Sequence, residues 1–201
     1  MNAGIGFAAG ALIGAASGMP LGVVNVAIVD AALAKESRYA LGLGIGGALA
    51  DTVHASLAFL GLARLITARP ELERIFAVAA AVVIVVFAIT SWRRHRERSM
   101  RTYARPTIAR GVTSGLAITL PNPGALAAWV AIASLIPAAS TTSAIATAVG
   151  VGLGSSTWFI FLGKLVARAS PDNRALRLIP KIALVVFVGV AAFGVIRVWS
   201  A

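Results

Sequence analysis

Residues 111–163 read GVTSGLAITLPNPGALAAWVAIASLIPAASTTSAIATAVGVGLGSSTWFIFLG, without one charged side chain. A bilayer core about 30 Å thick is crossed by roughly 20 apolar residues of helix. At about 1.5 Å per residue the stretch is far too long for one crossing. Pro137, followed by Ala138-Ala139-Ser140-Thr141-Thr142-Ser143, is its natural reversal. The stretch therefore divides into two spans, 111–136 and 144–166.

The same reading extends outward in both directions. Residues 5–29 are uncharged, with Asp30 at their far end. Residues 39–66 are apolar apart from Asp51, His54 and Arg64, and 75–92 form a run rich in Ala and Val. The last run is 178–198, with Lys181 and Arg197 near its ends, where long basic side chains snorkel to the interface. Nothing alternates apolar with polar as barrel strands do. The fold class expected is an all-α integral membrane protein of six transmembrane helices, with residues 1–201 forming a single domain.

Composition agrees with this. The chain is 59% apolar and 12% charged, against about 25% charged in a soluble domain. That excludes an ordinary globular enzyme and a disordered chain. With no cysteine, neither a disulfide framework nor a thiolate metal site is available. The first run has no basic residue before it and no clear cleavage site, so it reads as a retained span.

The net charge of +11 is a matter of orientation more than of partners. Fourteen of the eighteen basic residues fall in the first, third and fifth connections, and only Arg64, Arg69, Arg74 and Arg197 fall on the other side. By the positive-inside rule the fourteen face the cytoplasm and both termini lie outside. The Trp92-Arg93-Arg94-His95-Arg96 cluster then belongs to a topogenic cytoplasmic loop, 93–110, rather than to a lipid or nucleic-acid site.

Spans one and four share proline and glycine in mid-span: Gly18-Met19-Pro20-Leu21-Gly22 and Pro121-Asn122-Pro123-Gly124. The offset that aligns Gly22 with Gly124 also aligns Phe59-Leu60-Gly61 with Phe161-Leu162-Gly163. Three helices per half would set the second half upside down, giving inverted repeats at about 1–92 and 111–201. Interrupted helices that meet near the midplane of inverted repeats are a mark of secondary transporters. Proline removes an amide donor and exposes carbonyls, and in lipid such breaks survive only inside protein or beside a water-filled cavity.

Two acids fall within spans, Asp30 and Asp51, and His54 lies at i+3 from Asp51 on the same helical face. A carboxyl and an imidazole together can pass protons or hold a cationic group, and ionisable residues at membrane depth are functional candidates by default. The plain alternative is an Asp–His pair that fixes helix packing. Asp30 also suits the cytoplasmic mouth beside Lys35. Gly150, Gly152 and Gly154 on span five, matched by Gly42, Gly44, Gly46 and Gly47 on span two, let helices approach closely. Ser155, Ser156 and Thr157 follow on span five and can bond their own helix. Trp129 and Trp158 are deep for interfacial aromatics and suit either a cavity wall or core filling.

At these residues the chain resembles the LysE/RhtB family of amino-acid exporters, over nearly its whole length. Ser17-Gly18-Met19-Pro20, the basic turn from Lys35 to Arg38, and Gly42 to Gly47 with Asp51 are similar to the family's first block. Leu120-Pro121-Asn122-Pro123, with Trp129 beyond it, resembles the Asn-Pro motif opening the family's fourth helix, and Ser170-Pro171 fits the stretch before the last. The chain departs at Gly18 and Met19, where the family has Pro-Gly, and at Gly124, where lysine is frequent. The resemblance implies a multi-pass protein of the bacterial inner membrane that exports a small amino acid or related metabolite, driven by the proton gradient.

The mechanism expected is alternating access between the two halves, without enzymatic chemistry, cofactor or bound metal. Pro20, Asn25, Asn122, Pro123, Trp129, Ser156 and Trp158 would line a midplane substrate pocket. Asp51 would carry the coupling proton, with His54 and Asp30 assisting. Partners are then the amino-acid substrate, protons and the lipid bilayer, without nucleic acid, and a homodimer is compatible with all of this. The rival reading is a divalent-metal exporter of cadmium type, which a chain with no cysteine and one intramembrane histidine serves poorly.

Overall fold

The computed structural model describes residues 2–19, 22–61, 78, 82, 107–135, 138 and 140–168. Apart from residues 78 and 82, the expected span 75–92 lies outside the described residues, as do the span 178–198, loop residues 93–106, Pro20 and Pro137. Among the described residues there are six helices and no strand. They are α1 (Ala3–Gly18), α2 (Val23–Leu33), α3 (Ser37–Phe59), α4 (Ile108–Thr119), α5 (Pro123–Leu135) and α6 (Thr141–Arg168). Span one thus comprises α1 and α2, span two is α3, span four comprises α4 and α5, and span five is α6.

Local chemistry sets these limits. Asn2 caps α1, its Oδ1 accepting from the Ile5 amide at 2.9 Å, and Thr107 caps α4 through the Arg110 amide at 3.3 Å. Asn122 Oδ1 accepts from the Ala125 amide at 3.3 Å, with Pro123 as the first helical residue of α5. Ser140 starts α6 by accepting from the Ser143 amide at 3.2 Å. Between α2 and α3 the chain reverses through Lys35, whose φ of 62° is left-handed, and the Glu36 amide closes the turn on the Ala31 carbonyl at 2.9 Å.

Two close helix pairs build the bundle. Gly6, Gly10, Gly14 and Gly18 recur every four residues on α1 and are all buried. A Cβ at Gly10 would run into the Thr147 carbonyl and one at Gly14 into the Val151 carbonyl; reciprocally, Gly150 meets Phe7 and Gly154 meets Ala11. The backbones of α1 and α6 therefore touch, with both helices running the same way. In the same manner Gly42 and Gly46 of α3 meet Ile108 and Val112, while Gly111 and Gly115 of α4 meet Tyr39 and Leu43. Helices α3 and α4 are parallel too, so the chain leaves α3 at one end of the bundle and enters α4 at the other. Small residues at four-residue spacing permit such contact, which supplies packing where the solvent is as apolar as the side chains.

Helix α2 lies inside the bundle, every residue from Val23 to Val29 being buried. It packs through Val24 and Ile28 with Leu43 of α3 and Phe159 of α6. A second apolar cluster joins Leu126 and Trp129 of α5 to Ala55 and Ala58 of α3 and to Ala148 and Val151 of α6. Outward, α6 exposes Ile145, Val149, Leu153, Phe161 and Leu165, and α3 exposes Leu49 and Val53. That apolar exterior is the reverse of a soluble helix face. Helix α6 is long and apolar enough to cross a membrane, and α1 with α2 meets the same criterion as one bent span.

The described parts of the three basic connections share one end of the bundle. Lys35 Nζ donates to the Ala167 carbonyl at 3.1 Å, joining the α2–α3 turn to the last turn of α6. Tyr39 Oη donates to Ser114 Oγ at 3.0 Å, holding the start of α3 beside the start of α4 and its exposed Arg110. A groove of about 220 Å³ between α3 and α6 opens at this end, lined by Ala40, Leu41, Phe159, Ile160 and Lys164.

Candidate functional site

Helix α1 ends at Gly18 and α2 begins at Val23; α4 ends at Thr119 and α5 begins at Pro123. The last carbonyls of an α-helix have no partner within it, and at membrane depth an unpaired carbonyl costs several kcal/mol. At both interruptions a polar side chain from elsewhere supplies a partner. Asn25 Nδ2 donates to the Gly18 carbonyl at 2.8 Å. His54 Nε2 lies 3.0 Å from the Leu120 carbonyl. Because a carbonyl only accepts, Nε2 carries the proton in this bond. The other ring nitrogen, Nδ1, is buried with no partner among the described residues.

The Asn25 site extends to α6. Trp158 Nε1 donates to Asn25 Oδ1 at 3.2 Å, so one amide joins the Gly18 carbonyl to the indole. The indole lies flush against the end of α1, where a Cβ on Gly18 would come within 2.7 Å of Trp158 Cδ1. Asn25 is 3% exposed, so both bonds are made away from solvent.

Asp51 stands about four turns up α3, partly buried between α5 and α6. The Trp129 indole of α5 and the Ser155 hydroxyl of α6 lie beside its carboxyl. Ser155 is wholly buried and donates its one hydroxyl proton to the Gly14 carbonyl of α1 at 3.3 Å. Beside this cluster, a Cβ on Gly152 would run into Thr52 Oγ1, so α3 and α6 are as close here as glycine allows. The carboxyl thus sits beside an indole and a hydroxyl, the hydroxyl's one proton being directed to Gly14.

The sequence-based candidates separate accordingly. Asp51 and Trp129 come together, as do Asn25 and Trp158. His54, one turn beyond Asp51, is bonded to the Leu120 carbonyl, while Asp51 has Trp129 of α5 and Ser155 of α6 beside it. Asn122 and Pro123 form the start of α5, with the Asn122 side chain engaged in the cap. Asp30 sits on the last turns of α2, near the Lys35 turn and far along the bundle axis from Asp51. Ser156 is half-buried and turned about 100° from Ser155 on α6. Thr157 bonds its own helix through the Leu153 carbonyl at 2.9 Å.

Ser155 is the residue that sequence reasoning passed over, having read it with its neighbours as bonding its own helix. The available signal was its place directly after Gly154, on the flank that α1 approaches. The Gly6-to-Gly18 stripe was equally readable, since its spacing of four marks one face of a helix.

No curated protein and no solved structure gives a significant match to this chain. The family model for the LysE type translocator matches residues 15–197, taking in both interruptions, Asp51 and His54 on α3, and Ser155 on α6. The chain belongs to the LysE type translocator family, a family of membrane transport proteins.

Proposed function

We propose that the protein is a secondary active exporter of a small amino acid or related metabolite, coupled to protons and working by alternating access in the bacterial inner membrane. The observation that carries this reading is the pair of interrupted spans, each with a terminal carbonyl bound by a polar side chain. A carbonyl has two lone pairs, so Gly18 and Leu120 can each accept a second donor. A substrate ammonium is such a donor, and the positive end of the α5 dipole suits the substrate carboxylate. Asn25, Trp129, Trp158 and Ser156 are the lining assigned to the pocket, with Pro20, Asn122 and Pro123 at the interruptions. Asp51 carries the coupling proton, assisted by His54 and, at the mouth, Asp30.

The arrangement supports two inverted repeats. The first half of span one packs on span five, and the first half of span four packs on span two, each through glycine and each in parallel. The offset that relates Gly22 to Gly124 also relates Gly18 to Leu120, the two residues whose carbonyls are bound. With Lys35, Arg110 and Arg168 at one end, the positive-inside rule puts that end in the cytoplasm and both termini outside. Between a metabolite and a divalent metal, the neighbours of Asp51 favour the metabolite. An indole N–H is a donor only and coordinates no metal. The direct test is a counterflow screen in proteoliposomes with amino acids, dipeptides and divalent metals. Saturable exchange of an amino acid or related metabolite is expected, and exchange of metals alone would overturn the reading.

A further inference from the structure

Ser155 has one hydroxyl proton and two acceptors within reach, the Asp51 carboxyl on α3 and the Gly14 carbonyl on α1. A hydroxyl donates one hydrogen bond and accepts two. Which acceptor it serves therefore depends on what Asp51 needs. When Asp51 holds a proton, its O–H donates to Ser155 Oγ, and Ser155 in turn donates to Gly14. When Asp51 is ionised it only accepts, and a buried carboxylate draws charge-assisted bonds more strongly than a carbonyl does. Ser155 then turns about its C–O bond and donates to the carboxylate, and its bond to α1 is lost. One bond is broken in this step, the Asp51 O–H, and its proton passes to water on the transport path.

The change on the α1 side is a small one. The Gly14 carbonyl also accepts from Ser17 Oγ at 3.1 Å, so it keeps a partner when Ser155 turns away. The Ser155–Gly14 distance of 3.3 Å is long for a hydroxyl donor, for which about 2.7–2.8 Å is usual. Gly14 lies one turn before Gly18, where α1 ends against Trp158 and Asn25 takes the final carbonyl. A bond made or lost at Gly14 thus acts on the last turn before the interruption.

We propose that Ser155 is a hydrogen-bond switch that passes the protonation state of Asp51 to the last turn of α1, tethering that turn to α6 when Asp51 is protonated and releasing it when Asp51 is ionised. This rests on the reading of Asp51 as the coupling carboxylate. Among the described residues, few other groups could send the same signal. Helices α1 and α5 carry no ionisable side chain, and α6 carries only Lys164 and Arg168 in its final turns. Helix α2 adds Asp30 near its end, α4 adds Arg110 at its start, and α3 adds Arg38 and Tyr39 in its first turn. His54, one turn from Asp51, is held to Leu120 on a different helix.

The chain has no cysteine, so Ala16→Cys gives a single attachment point for a spin label on the exposed side of that last turn. The full-length protein in phospholipid nanodiscs is followed by electron paramagnetic resonance as pH is raised. The account expects the label to pass from restricted to mobile in one titration step, and that step to be lost in Ser155→Ala and in Asp51→Asn. Ser155→Thr, which keeps the hydroxyl, restores it. A pH step of the same size in Ser155→Ala, or none in the parent protein, would overturn the switch. The readout needs no substrate. A step that depends on Ser155 in a protein whose transport ignores the proton gradient would leave the switch standing and remove the coupling role. Gradient-driven transport without the step would do the opposite.

Discussion

His54 Nε2 lies 3.0 Å from the carbonyl oxygen of Leu120, the residue at which α4 gives way to the interruption before α5. The bond spans two helices and occupies a carbonyl that has no partner in its own. Replacing His54 with alanine strands that carbonyl and opens a cavity in a buried place. The expected loss is about 1–3 kcal/mol of stability, read as a lower thermal unfolding temperature in detergent. His54→Gln, which retains a donor, is expected to recover part of it.

Glycine contacts give a sharper contrast. A methyl at Gly14 meets the Val151 backbone, whereas one at Gly163 meets only the Ile28 Cγ2 methyl at 3.5 Å. Gly14→Ala must separate α1 from α6 and is expected to cost about 1–3 kcal/mol or to abolish folding. Gly163→Ala is expected to be neutral or slightly stabilising, because alanine is the better helix former. Size-exclusion profiles and thermal unfolding of the two variants in the same detergent check both outcomes.

Asn25 joins two groups at once, the Gly18 carbonyl and the Trp158 indole. Asn25→Leu keeps the volume and removes both bonds, so if Asn25 lines the proposed pocket, substrate exchange should fail even where the protein still folds. Trp158→Phe removes only the indole N–H and should retain most of the fold. Counterflow by the two variants, set against their thermal stability, separates a role at the pocket from one in packing alone.

Lys35 makes a more modest contribution. Its ammonium sits at the C-terminal end of α6, where a cation contributes about 0.3–1 kcal/mol. It also occupies a left-handed backbone position. Lys35→Gly should therefore offset much of the lost charge interaction by relieving the backbone, while Lys35→Val should lose on both counts. Unfolding temperatures are expected in the order Lys35, Gly, Val.

Much of this architecture was legible in the sequence because membrane spans announce themselves by what they lack. The uncharged run 111–163 placed α5 and α6 on either side of a reversal, and the Pro/Gly clusters fell where α1 and α4 end. Asp51, Trp129, Asn25 and Trp158 stood out as polar or amphipathic groups at membrane depth. Which of them meet was not legible, because helical phase relative to a neighbour is set by packing. The glycines of spans two and five looked matched to each other, and Gly44 and Gly152 do meet Phe159 and Thr52 across that pair, but Gly42 and Gly46 face α4 while Gly150 and Gly154 face α1. The same rotation brings Ser155 rather than Ser156 to Asp51. Asp51 and His54 share a face by spacing, but each finds a closer partner on a different helix.

The claim at the centre of this account is that Asp51 couples export to the proton gradient. The most direct measurement is export from proteoliposomes under an imposed pH gradient, with the substrate found by counterflow, for the parent protein and for Asp51→Asn. The account predicts that the gradient accelerates net export by the parent. It predicts that Asp51→Asn still exchanges substrate for substrate but no longer responds to the gradient. Gradient-driven export by Asp51→Asn at the parent rate would contradict it.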